Sequence, residues 1–542
     1  MINFKRAVII MAFFSLTSCS FIIEKLTGNQ SYEVVGLDKK NFALVFSHNV
    51  HGETHPCGCR HFPLGGLAQI AGQLEKLKKN HDVLYVDSGD TIFDSTQIPS
   101  TLIESRRFNA KGLAKGLYDV GLRYMTPGDY DFADGLDFLK ETTGKIKLLI
   151  ANLKNQESLP HKEFVVIERG PHRIYLTGFV HPSVLNHSLN KLFLPPKSFM
   201  PKLLTKMKEH GLDTKNPFHR LVVLSHSGKD LDDQLAKNFP EINWIIGAHT
   251  QNFYRIPEEV GKTKIVQVLS RNHYLGQITF DLTKDRTHDS YIVHEVRDEL
   301  KDELKPNPFL GFIDRHKEEV KKIQLKEQDM MSSVSSEAKM TTTKGCIECH
   351  DKQTRWWKGT SHSLAYATLI KANEESNLDC VKCHTLGQGD ARGFTRVKDI
   401  IEIDKDHLKK KNAEAIKQAY WQEVKKAFSP VKSVRELNTK SKRELANKWL
   451  SIDAKNHVNR NFANVQCLNC HVKHNNHPWE ELTEAGTKKS IQQGMKNKCL
   501  NCHNSDQSPE WYKKMSNGAP GAINPSMLNK KFKEMSCPQM TN

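Results

Sequence analysis

Four Cys-x-x-Cys-His units dominate the chemistry written in this 542-residue chain. They are Cys346-Ile347-Glu348-Cys349-His350, Cys380-Val381-Lys382-Cys383-His384, Cys467-Leu468-Asn469-Cys470-His471 and Cys499-Leu500-Asn501-Cys502-His503. Two thiols three residues apart can add to both vinyl groups of one haem, and the adjoining histidine then reaches the iron as proximal ligand. Repeated four times within residues 341–542, the unit implies four haem c groups on Cys346/Cys349, Cys380/Cys383, Cys467/Cys470 and Cys499/Cys502, with His350, His384, His471 and His503 as iron ligands. The charge agrees: of a net +17, the last 202 residues carry +13. Eight haem propionates would absorb that excess, so a nucleic-acid partner is not needed to explain it.

A second set of chemically able residues lies upstream. Short apolar, β-rich runs recur at Phe42–Phe46, Val83–Val86, Leu148–Ala151, Ile174–Phe179, Leu221–Leu224, Trp244–Ile246 and Ile265–Leu269. Helical patterns lie between several of them, as at 67–78, where Leu67, Ile70, Leu74 and Leu77 share one face. Strands alternating with helices predict a layered α/β domain. Almost every run ends in polar, metal-competent residues: Asn49 and His51, Asp87 and Asp90, Asp129 and Asp131, His226, then His249 and Gln251. Strand ends are where such folds build their sites.

Read in order, Asn49-Val50-His51-Gly52, Gly89-Asp90, Gly128-Asp129-Tyr130-Asp131-Phe132, His226-Ser227-Gly228 and Gly247-Ala248-His249-Thr250-Gln251 resemble the motifs of calcineurin-like metallophosphoesterases. The likeness is to the 5'-nucleotidase and UDP-sugar hydrolase branch, over residues 41–281. It implies an αββα sandwich holding two divalent ions, Mn, Zn or Fe, that share a carboxylate, with Asp90 as the bridge. Asn49, His51 and Gln251 would serve one ion, and Asp129, His226 and His249 the other. Three departures stand out. Asn49 replaces the family's first aspartate, Asp129 replaces its ligating asparagine, and Tyr130 stands where a histidine protonates the leaving group. Asp90, Asp129 and Tyr130 are therefore the catalytic candidates, and a phosphate ester or a sulfur ester the candidate substrate.

The C-terminal region, expected to be mostly α-helical or irregular, is similar to tetrahaem cytochromes of the c-554 type. Trp357-x-x-Thr360-x-His362, Cys383-His384-Thr385-x-Gly387 and Asn464-Val465-Gln466-Cys467 carry that likeness, together with His477 six residues after His471. It implies His362 and His477 as distal ligands, with His457 and His474 as further candidates.

Lys5 and Arg6 precede an apolar run, Ala7 to Leu16, that is too short to span a bilayer and is followed by Thr17-Ser18-Cys19. This resembles a bacterial lipoprotein signal, residues 1–18, with Cys19 lipidated and 19–40 as a tether. The expected location is the periplasm, on the outer membrane, with membrane contact through acyl chains and with periplasmic or membrane redox partners. Residues 282–340 read as connector, with an amphipathic helix over 309–328. Cys57, Cys59 and Cys537 remain; they suit either a redox-active or metal-binding dithiol beside the cleft or a structural disulfide. Three functions are open on this reading: electron transfer by the haem domain beside an esterase-like domain, ester hydrolysis with haems serving a linked redox step, or a docking module built on a degenerate metal domain.

Overall fold

The computed structural model describes residues 32–34, 39–56, 63–155, 157–333, 339–408, 412–471, 485–505, 507–514 and 520–538. Cys19, Cys57, Cys59, His474 and His477 lie outside the described residues. The chain forms two units, one chiefly of residues up to Ile98 and Arg106–His316, the other chiefly from Lys317 onward.

The first unit contains two sheets. One has the order β13-β12-β2-β3-β4-β5, from β2 (Asn41–Ser47), β3 (Asp82–Asp87), β4 (Leu122–Met125), β5 (Lys147–Leu148), β12 (Tyr274–Asp281) and β13 (Ser290–Glu295). The other has the order β1-β6-β7-β8-β9-β11-β10, from β1 (Tyr32–Val34), β6 (Phe164–Arg169), β7 (His172–Val180), β8 (His219–His226), β9 (Trp244–Gly247), β10 (Glu258–Val260) and β11 (Thr263–Val266). The alternation of side chains along each strand sorts the core into three layers. On β2, Phe42, Leu44 and Phe46 face the other sheet and meet Ile174, Leu176, Val222, Leu224, Trp244 and Ile246. Ala43 and Val45 face the opposite way, onto the helices Leu67–Lys78 and Ile103–Val120. On the second sheet Tyr175, Leu221, Val223 and Ile245 turn outward beneath the helices Pro196–Glu209 and Lys229–Asn238. The result is the four-layer αββα sandwich expected.

The apolar run Leu148–Ala151 is strand only at its start, since β5 ends at Leu148 and Leu149 makes an isolated bridge to Lys162. The first sheet continues past residue 281, because β13 pairs antiparallel with β12 through Tyr274↔Glu295 to Thr279↔Ser290. The charged stretch over 309–328 is helical, within Pro308–Met330.

In the second unit, helices Ala413–Phe428 and Thr439–Lys455 enclose Tyr420, Val424, Phe428, Trp449 and Ile452. Each Cys-x-x-Cys-His unit is wound as a helical turn. His350, His471 and His503 each donate a backbone N–H to the carbonyl of their unit's first cysteine, at 3.0, 2.8 and 2.9 Å, and Cys380 to His384 lie within the helix Leu378–His384. Helical spacing of i and i+3 places both sulfurs of a unit on one face.

Arg220 and Asp289 form a fully buried ion pair in the sandwich. Arg220 is wholly buried on β8, and its guanidinium donates to Asp289 from Nε at 2.9 Å and from Nη2 at 2.7 Å. Trp244 Nε1 adds a longer bond to the same carboxylate at 3.4 Å. Removing one partner strands a buried charge, so Asp289→Ala should destabilise the protein by about 3–5 kcal/mol. A urea-denaturation series on the variant checks this; a loss under about 1 kcal/mol would show the pair to be dispensable.

Candidate metal centre and haem-binding region

β2, β3 and β4 are adjacent and parallel, as are β8 and β9. Their carboxyl ends therefore open at common edges, and the loops leaving them carry the residues singled out by type. Backbone geometry marks these loops. Asn49, His51, Asp90 and His249 have φ of 51°, 56°, 58° and 69°, a left-handed region that non-glycine residues seldom occupy and that concentrates at functional sites. Close approach of the backbones is needed as well. A Cβ on Gly89 would lie 2.4 Å from the Gly128 nitrogen, and one on Gly128 would lie 2.3 Å from Asp90 Oδ1.

Asp131 holds the loops in place. It is fully buried, and its two carboxylate oxygens accept backbone N–H groups from Asp90, Thr91, Ile92 and Gly128, each at 2.8 Å. Loops after β3 and β4 are thereby clipped to one side chain, and the Tyr130 N–H donates to Asp90 Oδ1 at 2.9 Å.

In this frame one ligand atom each from Asp90, Asp129, His226 and His249 lies within 4.8 Å of all the others. His226 is fully buried; its Nδ1–H donates to the Ser88 carbonyl at 2.8 Å, which turns Nε2 toward Asp129 Oδ1 at 3.0 Å and Asp90 Oδ1 at 3.4 Å. His249 Nδ1 lies 3.0 Å from the same Asp129 oxygen. Burial opposes the charged form of His226, yet the Asp90 charge and the Asp129 hydrogen bond raise it well above the ordinary histidine range. Burial likewise pushes Asp129 up, but its bonds to His226 and His249 prevail and hold the carboxyl well below the usual range. Two carboxylates converging on two imidazoles are a donor set that fits a divalent ion, with the imidazole oriented from behind by a carbonyl.

His51 and Asn49 stand beside this group. Burial, then the charge of Arg271, pushes His51 down to about 3, so it is a neutral imidazole. Tyr130 packs against it, ring centroids 5.3 Å apart. The Tyr130 phenol is raised above its ordinary value by burial and by the Asp90 and Asp129 charges. Gln251 is exposed. Arg271, whose N–H donates to the Asn49 carbonyl at 2.7 Å, is ion-paired with Glu53. Neither Arg271 nor Asp131's clipping role carries a sequence signature, because both depend on loops brought together from distant strands.

The haem-type region gives its histidines a ligand's chemistry. His384 Nδ1 donates to the Ala365 carbonyl at 2.7 Å, leaving Nε2 as a lone pair. His503 Nδ1 bonds Ser508 Oγ at 2.8 Å, and its ring stacks on Trp511 with centroids 4.3 Å apart. Burial lowers His384, His471 and His503, and pushes His362 down to about 4, so these imidazoles are neutral as iron requires. The His362 and His503 rings lie 6.3 Å apart. The His362 turn is tied to the third unit, since the Val465 N–H donates to the His362 carbonyl at 3.1 Å and Trp357 Nε1 to the Val465 carbonyl at 2.8 Å. Thiols of different units also meet: Cys383 hydrogen-bonds Cys502, and Cys467 hydrogen-bonds Cys346. His457 stacks on His407, a residue the sequence did not single out, with centroids 4.0 Å apart. Cys537 is a free, half-buried thiol; burial, then the nearby Cys467, raises it, and it in turn helps to raise Cys470.

Comparison with known proteins matches these two regions separately. The family described as "Cytochrome c554 and c-prime" matches residues 345–405. A snake venom 5'-nucleotidase from Gloydius brevicauda is 25% identical over 205 residues, 35% of this chain and 32% of that protein. A probable 5'-nucleotidase of Treponema pallidum is 24% identical over 198 residues, 34% of this chain and 31% of that protein. The matched segment thus spans about a third of the length of these curated relatives. Among solved structures, a 5'-nucleotidase precursor from Thermus thermophilus aligns with 18% identity and a TM-score of 0.43, over 52% of this chain and 59% of that one. The chain joins a 5'-nucleotidase-like metallophosphoesterase fold to a helical region bearing a cytochrome c554 match.

If Asp131 holds the loop that presents Asp90, Asp131→Asn should weaken Mn(II) affinity about 10–100-fold, the usual cost of losing a group behind a metal ligand. Titration calorimetry of the metal-free protein measures it; unchanged affinity would remove Asp131 from the account.

Proposed function

We propose that the chain is a periplasm-facing lipoprotein in which a metal-dependent esterase domain of the 5'-nucleotidase type accompanies a tetrahaem electron-transfer domain. The convergence of Asp90, Asp129, His226 and His249 at the carboxyl ends of strands from both sheets carries the esterase half of this reading. A divalent ion bound there would polarise the ester and lower the pKa of a bound water. The chain's own residues do the rest. Ser88 orients His226, Asp131 fixes Asp90, and Arg271, held by Glu53, places a fixed positive charge within electrostatic range of both His51 and Tyr130, where an anionic substrate would lie.

Tyr130 decides the substrate class. With its phenol raised by burial and by two carboxylates, it stays protonated at neutral pH and gives up its proton reluctantly. The cleft therefore suits phosphate esters with good leaving groups, or sulfur esters whose leaving group needs no proton, better than ordinary nucleotides.

The four cysteine pairs would hold four c-type haems, with His350, His384, His471 and His503 as proximal ligands. His362 is the favoured distal ligand because it is half-buried, neutral and tied to the third attachment unit. Electrons would pass to and from periplasmic or membrane redox partners. Among the described residues no helix is long and apolar enough to cross a membrane; the proposed anchor is lipid on Cys19.

Three outcomes test this function. Protein matured with cytochrome c assembly machinery should carry four added haem masses, and fewer than three would contradict the reading. His362→Ala should convert one haem to high spin, visible in electronic and electron paramagnetic resonance spectra; a wholly low-spin variant would exclude His362. Tyr130→His should raise nucleotide hydrolysis by about 10²- to 10⁴-fold, the usual contribution of a positioned general acid, while leaving activated aryl esters nearly unchanged. Equal nucleotide rates in the two proteins would show that Tyr130 is no defect.

A further inference from the structure

We propose that the cleft binds one divalent ion firmly, at Asp90, Asp129, His226 and His249, and that Asn49 fills the neighbouring metal place with a hydrogen-bond donor. This deepens the metal-dependent reading above by assigning the metal count.

The argument begins behind the site. The Val268 backbone N–H donates to His48 Nε2 at 2.8 Å. A backbone N–H can only donate, so Nε2 is an acceptor and the ring is the tautomer with its proton on Nδ1. That proton points at Asn49, 2.7 Å away, and the atom receiving it must be the amide oxygen Oδ1. Asn49 is 1% exposed and His48 is 1% exposed, so neither bond can be exchanged for water. The Asn49 amide nitrogen is thereby turned into the cleft, 3.3 Å from Asp90 Oδ2, 3.4 Å from His51 Nε2 and 3.5 Å from the His249 carbonyl. An amide NH2 has no lone pair to offer a metal. Flipping the amide would set its NH2 against the His48 Nδ1–H and its oxygen against the Asp90 carboxylate, losing bonds on both sides.

The other members of this place are weakened too. The Asn49 NH2 faces the ring nitrogen that His51 would use, and Gln251 is exposed. The carboxylate absent from position 49 is present at position 129, so Asp90 and Asp129 together supply two negative charges beside two imidazoles. That charge balances a single divalent ion, and its mixed O/N ligation favours Mn, Zn or Fe over Mg or Ca. Aspartate at position 49 could still accept the His48 proton on one oxygen while presenting the other to the cleft. Its left-handed backbone, φ 51°, is tolerated by both Asn and Asp.

The test uses the full-length haem-loaded protein, stripped of loosely bound metal and dialysed against Mn(II), with manganese per chain measured by elemental mass spectrometry. The wild type should hold one Mn(II) per chain. Asn49→Asp should hold two, with the uncoupled six-line Mn(II) resonance lost to spin coupling, and Asp129→Asn should lose at least tenfold in affinity. Two ions bound with comparable affinity by the wild type would overturn this inference and leave the metal-dependent function standing. A count that stays at one in Asn49→Asp would equally overturn it, because Asn49 would not then be the limiting group. No binding by the wild type would overturn both.

Discussion

A single buried carboxylate organises the cleft. Asp131 accepts four backbone N–H bonds from two loops, and the loop after β3 holds Asp90 in a left-handed conformation that costs free energy to keep. Without those bonds, Asp90 has no reason to keep a φ of 58°. Gly128 would also have no reason to stand where its missing side chain gives Asp90 Oδ1 room. The sandwich contributes the other half of the constraint. Its inner layer, from Phe42, Leu44 and Phe46 to Trp244 and Ile246, fixes the two sheets against each other. Ser88 then joins them at the site, donating through its hydroxyl to the Ile246 carbonyl at 3.1 Å and accepting from His226 through its own carbonyl.

Charge placement follows from that scaffold. The cleft keeps two carboxylates near His226 and His249, while the position beside His51 carries an amide whose orientation is dictated by His48 and, behind it, by the backbone N–H of Val268, just past β11 of the other sheet. Arg271 adds a fixed cation on the same side. The arrangement therefore has an electrostatic polarity: a donor set that fits a metal ion at one end and a fixed cation with hydrogen-bond donors at the other.

Much of this was legible in the sequence because it depends on local spacing. Each Cys-x-x-Cys-His unit is one helical turn, so its chemistry can be read without tertiary structure. The helix Leu67–Lys78 announced itself by an apolar face, and β2, β3, β8 and β9 by apolar runs ending in Asp, Asn or His. The strand β6, Phe164–Arg169, shows no such polar ending and was not singled out, and β4, Leu122–Met125, is short and interrupted by Arg123. What could not be read were features that require two distant segments to meet. Asp131 was visible as a polar residue after a strand, but its clip needs the loop forty residues earlier. His48 was not singled out at all, and its tautomer depends on Val268. His457 was a candidate axial ligand from its type alone, whereas its stacking on His407 depends on the pairing of Ile401–Ile403 with Val458–Asn461 that brings their neighbours together.

The most direct test of the central claim is anomalous diffraction at the manganese edge from crystals of the wild-type protein soaked in Mn(II). The account predicts one strong peak enclosed by Asp90, Asp129, His226 and His249, with the Asn49 oxygen still directed at His48. Two peaks of comparable height, or one peak coordinated by Asn49 Oδ1, would contradict it.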